Sequence, residues 1–248
     1  MHEIVRNTRI IAEREFAAYF ASPLATIFLV IFVALTGAFA FFVGGFFERG
    51  QADLGAFFMY HPWLYLLLVP AIAMRLWAEE RKTGTIELLM TLPISPWEAI
   101  LGKFLAAWAF IGLALLLTIP MWITVNVLGR PDNGVILASY IGSFLTAGAF
   151  LAIGSCISAL TKNQVIAFIV AAAICFILVM SGVEMVLNVF RPWAPSFLIA
   201  AISSLSFLTH FDDFTKGIFS LPGLIFYASV IAFALFANKI ILDQRKAA

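Results

Sequence analysis

Residues 75–98 read RLWAEERKTGTIELLMTLPISPWE, a charged stretch that lies between two long apolar runs. Elsewhere charge is sparse, since 63% of the 248 residues are apolar and only 12% are charged. This composition is too apolar for a water-soluble domain, and the chain is long enough for several membrane spans. We therefore predict a single all-α membrane domain, 1–248, in which residues 77–98 form a loop between two spans.

Six charge-free runs are long enough to cross a bilayer, which takes about 20 apolar residues in a helix. They predict spans one to six at about residues 24–46, 55–76, 104–127, 135–160, 165–186 and 218–238. A seventh uncharged run, 192–209, is a poor span because it opens with two prolines and contains four serines.

The placement of Lys and Arg distinguishes six spans from seven, because these residues concentrate in short cytoplasmic loops. With six spans and both termini cytoplasmic, eleven Lys and Arg residues lie inside and four lie outside. Counting the seventh run as a span changes the distribution to nine inside and six outside. Six spans are therefore favoured. Segment 190–212 is then predicted to form one or two short re-entrant helices, which protein must cover; a flat position on the outer surface is the alternative.

Capping residues mark where span three begins. Ser95 and Pro96 are an N-cap residue and a proline at the first helical position, and Glu98 is placed to complete a capping box. The helix of span three is therefore expected to start in the cytoplasm. Pro70 and Pro120 lie inside spans two and three, where each frees a backbone carbonyl and kinks its helix. We interpret both kinks as packing features.

Residues 1–22 are predicted to form an amphipathic helix in the inner membrane interface. Their apolar members fall within about half of the helical circumference, although polar residues intrude on that arc. A cytoplasmic extension of span one is the alternative. The stretch lacks the short apolar core and cleavage site of a secretory signal, so we expect it to be retained.

The charged loop can form a short helix from Thr85, with Glu87 near its positive end, where the macrodipole favours a carboxylate. Pro93 disfavours helix at the preceding residue, so this helix ends by Leu92. Gly84 permits a sharp turn into it. The product is a two-turn amphipathic helix at the inner ends of spans two and three. It either docks on a partner or rests on lipid headgroups.

The run EERKTGTIELLMTLPI, residues 79–94, resembles the first cytoplasmic loop of ABC-2 type permeases, the membrane subunits of ATP-driven transporters. Residues 15–23 and 57–77 resemble the subgroup of these permeases that is associated with gliding motility. The similarity covers most of the chain and is strongest over residues 1–103. The one visible departure is Met90, where a leucine is expected.

The resemblance implies an ABC-2, or type V exporter-like, fold. This is a dimer of six-helix subunits, each with an interfacial N-terminal helix, a coupling helix after span two and re-entrant outer helices between spans five and six. In the family, a separate cytoplasmic ATPase dimer receives the coupling helix, and nucleotide-driven closure of that dimer reorients the spans. Carried over to this chain, the residues that contact the ATPase are Glu79, Glu80, Arg81, Gly84, Thr85, Glu87, Leu88 and Leu89.

No nucleotide site is expected in this chain. A phosphate-binding loop needs a glycine five residues before a Gly-Lys pair and a Ser or Thr after it. Here Gly102 and Lys103 are preceded by Trp97 and followed by Phe104. No metal or cofactor is predicted on this chain, and ATP and Mg are expected on the partner ATPase. The net charge of +1 gives no support for a nucleic-acid partner.

Glu184 follows about twenty residues of span five and is predicted to lie at the outer boundary of the membrane. There it is solvated or paired with Arg191; a role in an outer gate or substrate path is the alternative.

We therefore predict a non-enzymatic permease subunit of an ATP-binding cassette exporter of a lipid, glycan or other amphipathic substrate, located in the bacterial cytoplasmic membrane. Its predicted partners are the ATPase dimer, a second copy or a paralogous permease, and the lipid bilayer. An auxiliary membrane subunit is a further candidate partner. A secondary transporter or channel is the alternative, and it would require polar groups at mid-bilayer. An intramembrane enzyme would require His, Asp or Glu converging at one depth, and the predicted spans show no such convergence.

Overall fold

In a computed structural model of the chain, residues 2–91, 93–192 and 194–246 are described, and this part of the chain is helical with no strand. In chain order its α-helices are α1 His2–Phe20, α2 Pro23–Ala38, α3 Gly55–Phe58, α4 His61–Ala73, α5 Arg75–Thr83, α6 Thr85–Thr91, α7 Pro96–Leu116, α8 Ile119–Leu128, α9 Asn133–Leu160, α10 Gln164–Met180, α11 Glu184–Phe190, α12 Ser196–Ser204, α13 Phe207–Thr215 and α14 Leu221–Lys246. A π-helical turn, Phe39–Val43, extends α2.

Among these residues, five helical stretches are long and apolar enough to cross a membrane. They are Ala25–Val43, Gly55–Thr83, Pro96–Leu128, Asn133–Leu160 and Leu221–Gln244. Two further pairs of helices reach the required length only together, and each is bent, α10 with α11 by 78° and α12 with α13 by 64°. The chain is thus a multi-pass, all-helical membrane protein with five to seven candidate spans. The prediction of six lies within this range and stays a prediction.

The helix of predicted span five ends earlier than the sequence indicates. We expected it to reach residue 186, but α10 stops at Met180 and α11 turns sharply away. The backbone leaves the helical conformation at Val183, with φ −74° and ψ 127°. Gly182, next to it, fits closely against α13, since an added Cβ atom would lie 2.5 Å from the Cβ atom of Ser206. The outer segment, predicted at 190–212, contains α12 and α13 and continues helical to Thr215. Trp193 within it lies outside the described residues.

Helix α9 is the centre of the fold and contacts α4, α5, α7, α10, α13 and α14. Small residues permit this crowding. A Cβ atom added at Gly148 would lie 2.6 Å from the ring of Trp108 on α7, and one at Gly154 would lie 2.5 Å from the Cβ atom of Ala73 on α4. Small residues of this kind let membrane helices pack backbone against backbone. A larger residue at either glycine would push a neighbouring helix away from the centre.

The helix of predicted span two is interrupted at Met74, just after Pro70, and restarts as α5. The interruption leaves the first N–H groups of α5 without partners in their own helix. The hydroxyl group of Ser158 on α9 replaces those partners. Its oxygen accepts hydrogen bonds from the backbone N–H groups of Trp77 and Ala78 at 3.1 and 3.0 Å, and its proton is donated to the carbonyl of Met74 at 2.9 Å. A buried side chain thus satisfies both sides of the break.

The third candidate span is interrupted in a similar way, and Pro120 lies in the first turn of α8 rather than in mid-helix. The hydroxyl group of Thr118, at the break, donates to the carbonyl of Leu115 at 2.6 Å and lies 3.0 Å from the hydroxyl of Tyr140 on α9. Both interruptions are therefore covered by polar side chains, as membrane helices require.

We expect Ser158→Ala to lower the free energy of unfolding by about 1–3 kcal/mol or more, because it leaves two N–H groups and one carbonyl without a partner. The measurement is thermal unfolding of the purified protein in detergent. Ser204→Ala is the matched control, since that exposed hydroxyl bonds only to a carbonyl of its own helix, at 2.8 Å, and its loss should cost less than about 0.5 kcal/mol. Equal effects of the two changes would contradict this account of the break.

Candidate functional site

The charged stretch folds as two short helices joined by one glycine. Helix α5 ends at Thr83, and Gly84 follows with φ +76° and ψ 1°, a left-handed conformation that glycine adopts without strain. The hydroxyl groups of Thr83 and Thr85 lie 2.9 Å apart across this turn. The left-handed residue ends α5, and α6 begins as a separate helix at Thr85. We call the stretch 83–91 the tip.

Most of the described side chains of the tip are exposed. Thr83, Gly84, Thr85 and Glu87 are exposed, while Ile86 packs against the main hydrophobic core. The side chains of the predicted docking residues Leu88 and Leu89 lie outside the described part of the structure. Ile86 therefore attaches α6 to the protein, and the carboxylate of Glu87 is available to a partner.

Arg81, also a predicted docking residue, is directed into the protein. Its side chain is buried, and its Nη1 atom donates a hydrogen bond of 2.5 Å to the carbonyl of Ala159 near the end of α9. A cation is favoured at this end of a helix, where carbonyl groups lack partners. Arg81 thus fastens α5 to the central helix rather than facing a partner.

Trp77 adds a second attachment of α5. Its ring is completely buried, and its Nε1 atom donates to the hydroxyl of Ser155 at 3.0 Å. The same hydroxyl accepts a hydrogen bond of 2.8 Å from the amide of Asn238 on α14. Three helices, α5, α9 and α14, therefore meet at one serine.

Lys103 is a functional candidate that sequence reasoning missed. Its side chain is only 4% exposed, and its ammonium lies 2.7 Å from Glu80 on α5 and 3.3 Å from Glu15 on α1. The ammonium also lies 5.5 Å from the centroid of the Trp77 ring. Glu80, predicted to face the ATPase, is therefore held inside the subunit. No local pattern signals this cluster, since its members are far apart in the sequence.

The cluster perturbs Glu15. Burial by itself would raise the pKa of Glu15, but the charge of Lys103 and the hydrogen bond and charge of Arg14 hold that pKa below its ordinary value of 4.5. The guanidinium of Arg14 lies 2.7 Å from this carboxylate. Glu15 is therefore ionised at neutral pH and neutralises the buried ammonium together with Glu80.

The remaining predicted site residues lie at the edge of this region or far from it. Glu79 is partly exposed and pairs with Arg75 one helical turn earlier, at 2.8 Å. Both line a polar cleft of about 240 Å³ beside the Lys103 cluster. Glu184 begins α11 and lies 3.6 Å from the guanidinium of Arg191, with both side chains more than half exposed.

The predicted capping residues lie where the chain passes from the tip into α7, the start of the third candidate span. Ser95 is the N-cap of α7, its hydroxyl accepting from the backbone N–H of Glu98 at 3.3 Å. The carboxylate of Glu98 accepts from the N–H of Ser95 at 2.7 Å, which completes a capping box, and Pro96 occupies the first turn. The chain therefore enters α7 at a defined point.

Residues 9–222 of the chain match the family described as ABC-2 family transporter protein. The chain belongs to this family. As an ABC-2 permease it is a membrane subunit of an ABC transporter, and the family implies an ATPase partner in the same system. The matched region includes α1 from Arg9, the whole of the tip and all of the Lys103 cluster. A comparison with curated proteins finds no match.

We expect Gly84→Ala to destabilise the permease by about 1 kcal/mol, because an alanine at this positive φ is strained. Gly37→Ala is the control, since Gly37 lies inside α2 and an added Cβ atom meets nothing within 4 Å. Alanine there should be neutral or stabilise by up to about 1 kcal/mol. Unfolding midpoints in detergent measure both, and a Gly84→Ala protein as stable as the parent would contradict the left-handed turn.

Acid should weaken the Lys103 cluster through Glu15. Because the pKa of Glu15 is lower in the folded protein than its ordinary 4.5, its contribution to stability is fully present above pH 4.5 and is lost as the pH falls through the folded pKa. Glu15→Gln should therefore lose less stability on acidification than the parent, measured as unfolding midpoints from neutral pH downward. Glu13→Gln, an exposed position on the same helix, should keep the parent's profile. Identical profiles for Glu15→Gln and the parent would contradict the role of Glu15.

Proposed function

We propose that this chain is the permease subunit of a bacterial ABC exporter and that a separate ATPase dimer docks on the tip, residues 83–91. The observation that carries the proposal is the contrast between the exposed tip and its buried base. Thr83, Gly84, Thr85 and Glu87 are exposed, whereas Trp77 and Arg81 on the same charged stretch are buried. An element that only rested on lipid headgroups would not require so many attachments at its base.

The eight sequence-predicted docking residues then divide into two groups. Gly84, Thr85 and Glu87 form the contact with the ATPase, with the apolar residues Leu88 and Leu89 assigned to it by their place in α6 and with Glu79 at its edge. Glu80 and Arg81 belong to the base, because their charges are neutralised or hydrogen-bonded inside the subunit.

The base offers a path by which the closure of the ATPase reorients the spans. A push on α6 is transmitted to α5 through the short turn at Gly84. From α5 it reaches the central helix α9 through Ser158 and Arg81, and it reaches α7 through Lys103. Because packed helices move as rigid bodies, the spans respond to this push by tilting or rotating rather than by bending locally. ATP and Mg bind on the ATPase, and this chain performs no hydrolysis.

The proposed substrate is a lipid, a glycan or another amphipathic molecule. Two lateral grooves support the lipid and amphipathic members of this class, one of about 550 Å³ between the α7–α8 region and α9 and one of about 610 Å³ between α7, α9 and α14. Both are lined almost wholly by apolar side chains, which suits an acyl chain better than a free ion.

The finer assignment follows the family resemblance. We place the chain in the gliding-motility-associated subgroup, with six spans, an N-terminal interfacial helix and both termini in the cytoplasm of a bacterium. It functions as a dimer with a second copy or a paralogous permease, in the inner membrane, and an auxiliary membrane subunit is compatible with this assembly.

We expect Glu87→Lys to weaken binding of the ATPase by at least about tenfold, because it places a cation where the tip presents an anion. The measurement is the amount of ATPase that co-purifies with the tagged permease expressed with its native partners. Glu48→Lys is the matched control. It makes the same charge change at an exposed position outside the tip, beyond the C-terminal end of α2. If Glu87→Lys retained the parent's complex and ATP-dependent transport, the docking assignment would be wrong.

A further inference from the structure

Helix α1 runs alongside α7 in the same direction. The residues of α1 that face α7 recur every fourth position and meet it in order: Asn7 meets Glu98, Ile11 meets Gly102, Glu15 meets Lys103 and Tyr19 meets Phe110. The amide of Asn7 donates to the carboxylate of Glu98 at 3.4 Å, and the rings of Tyr19 and Phe110 stack with centroids 4.8 Å apart. One face of α1 is therefore packed on protein along most of its length.

The two helices approach each other closely at Gly102, the residue before Lys103. A Cβ atom added at Gly102 would lie 2.6 Å from the Cγ2 atom of Ile11 and 3.1 Å from the carbonyl oxygen of Thr8. Only a glycine permits this approach, which places α1 within reach of Lys103. The amphipathic pattern of α1 thus serves packing against α7 as well as any contact with the membrane interface.

Lys103 connects α1 to the base of the tip. Its ammonium is shared by Glu15, which belongs to α1, and Glu80, which belongs to α5. Moving either carboxylate away takes one of two ion-pair partners from a buried ammonium, and breaking a buried ion pair is unfavourable. Both carboxylates are therefore held at the same ammonium group, although α2, α3 and α4 lie between their helices in the sequence.

Other ion pairs on α1 do not have this property. Arg9 and Glu13 pair at 2.7 Å, but both belong to α1 and both side chains are more than half exposed. Such surface pairs contribute little and connect nothing beyond one helical turn. The Lys103 cluster differs from these surface pairs because it is buried and because it joins three separate helices, α1, α5 and α7.

We propose that Lys103 is a positioning residue that makes α1 move together with the tip during the transport cycle. This rests on the proposed function, since the movement originates in an ATPase that pushes on the tip. A push that displaces α5 carries Glu80 and the ammonium with it, and Glu15 follows, so α1 is displaced as one body with α5 and the start of α7. The N-terminal helix is then part of the moving assembly and does not lie independently in the membrane interface.

The test measures whether α1 and α5 keep a fixed separation. Spin labels are attached at Arg6→Cys on α1 and Lys82→Cys on α5, two exposed positions outside the tip, after the native cysteines are replaced by Cys156→Ala and Cys175→Ala. Distance distributions are recorded by pulsed electron paramagnetic resonance, for the permease alone and for its complex with the ATPase, without nucleotide and with a non-hydrolysable ATP analogue.

In the parent protein we expect one narrow distance distribution that does not change when nucleotide binds. In the triple variant Lys103→Met, Glu15→Gln, Glu80→Gln, we expect a broader distribution that shifts with nucleotide. The triple variant removes all three charges while keeping similar volumes, a kind of replacement that buried ion clusters usually tolerate. Lys162→Met, at an exposed lysine outside the Lys103 cluster, is the control and should match the parent.

Two results would overturn the inference: a parent distance that changes with nucleotide, or a triple variant that keeps the parent's narrow distribution in both states. Failure of the proposed function gives a different result, namely that no ATPase co-purifies with the parent permease. In that case the widths recorded for the permease alone still decide the role of Lys103, since the parent should be narrow and the triple variant broad. A triple variant as narrow as the parent there would reject the linkage.

Discussion

The hydroxyl group of Ser158 bonds to both sides of the break between α4 and α5, and the position of the tip depends on this break. A helix interrupted inside a bilayer exposes backbone groups that lipid cannot satisfy. After Pro70 the interruption frees a carbonyl and two N–H groups, and one serine on the central helix bonds to all three. Helix α5 therefore leaves the membrane part as a fixed continuation of α4 and not as a flexible loop.

The charged stretch combines a rigid base with an exposed tip. The charges of the base are internal, with Arg81 bonded to the end of α9 and Glu80 to Lys103. The carboxylate of Glu87 on the tip is exposed. This division suits an element that must be recognised by a partner and must also transmit a displacement. A displacement applied to a flexible loop would move only the loop and would not reach the spans.

Features that depend on neighbours three or four residues apart followed from the sequence. The start of α7 follows from Ser95 and Glu98, and the extent of α6 follows from Gly84 and Pro93, since capping and turn formation are local. The division of one charged run into buried and exposed members could not be predicted. Nothing in the sequence distinguishes the exposure of Arg81 from that of Glu87. Only the packing of α9 and α7 against α5 makes the first buried and leaves the second exposed.

By itself, the sequence determined a helical multi-pass membrane protein with a charged segment between two of its spans, because long apolar runs in a bilayer admit few structures other than spanning helices. Only the tertiary structure decided that Glu15 and Glu80 share Lys103, and that α10 ends at Met180 where Gly182 packs against Ser206. The reason is that both depend on which helices lie side by side. That choice is made by the fit of side chains from distant parts of the chain, and no local periodicity records it.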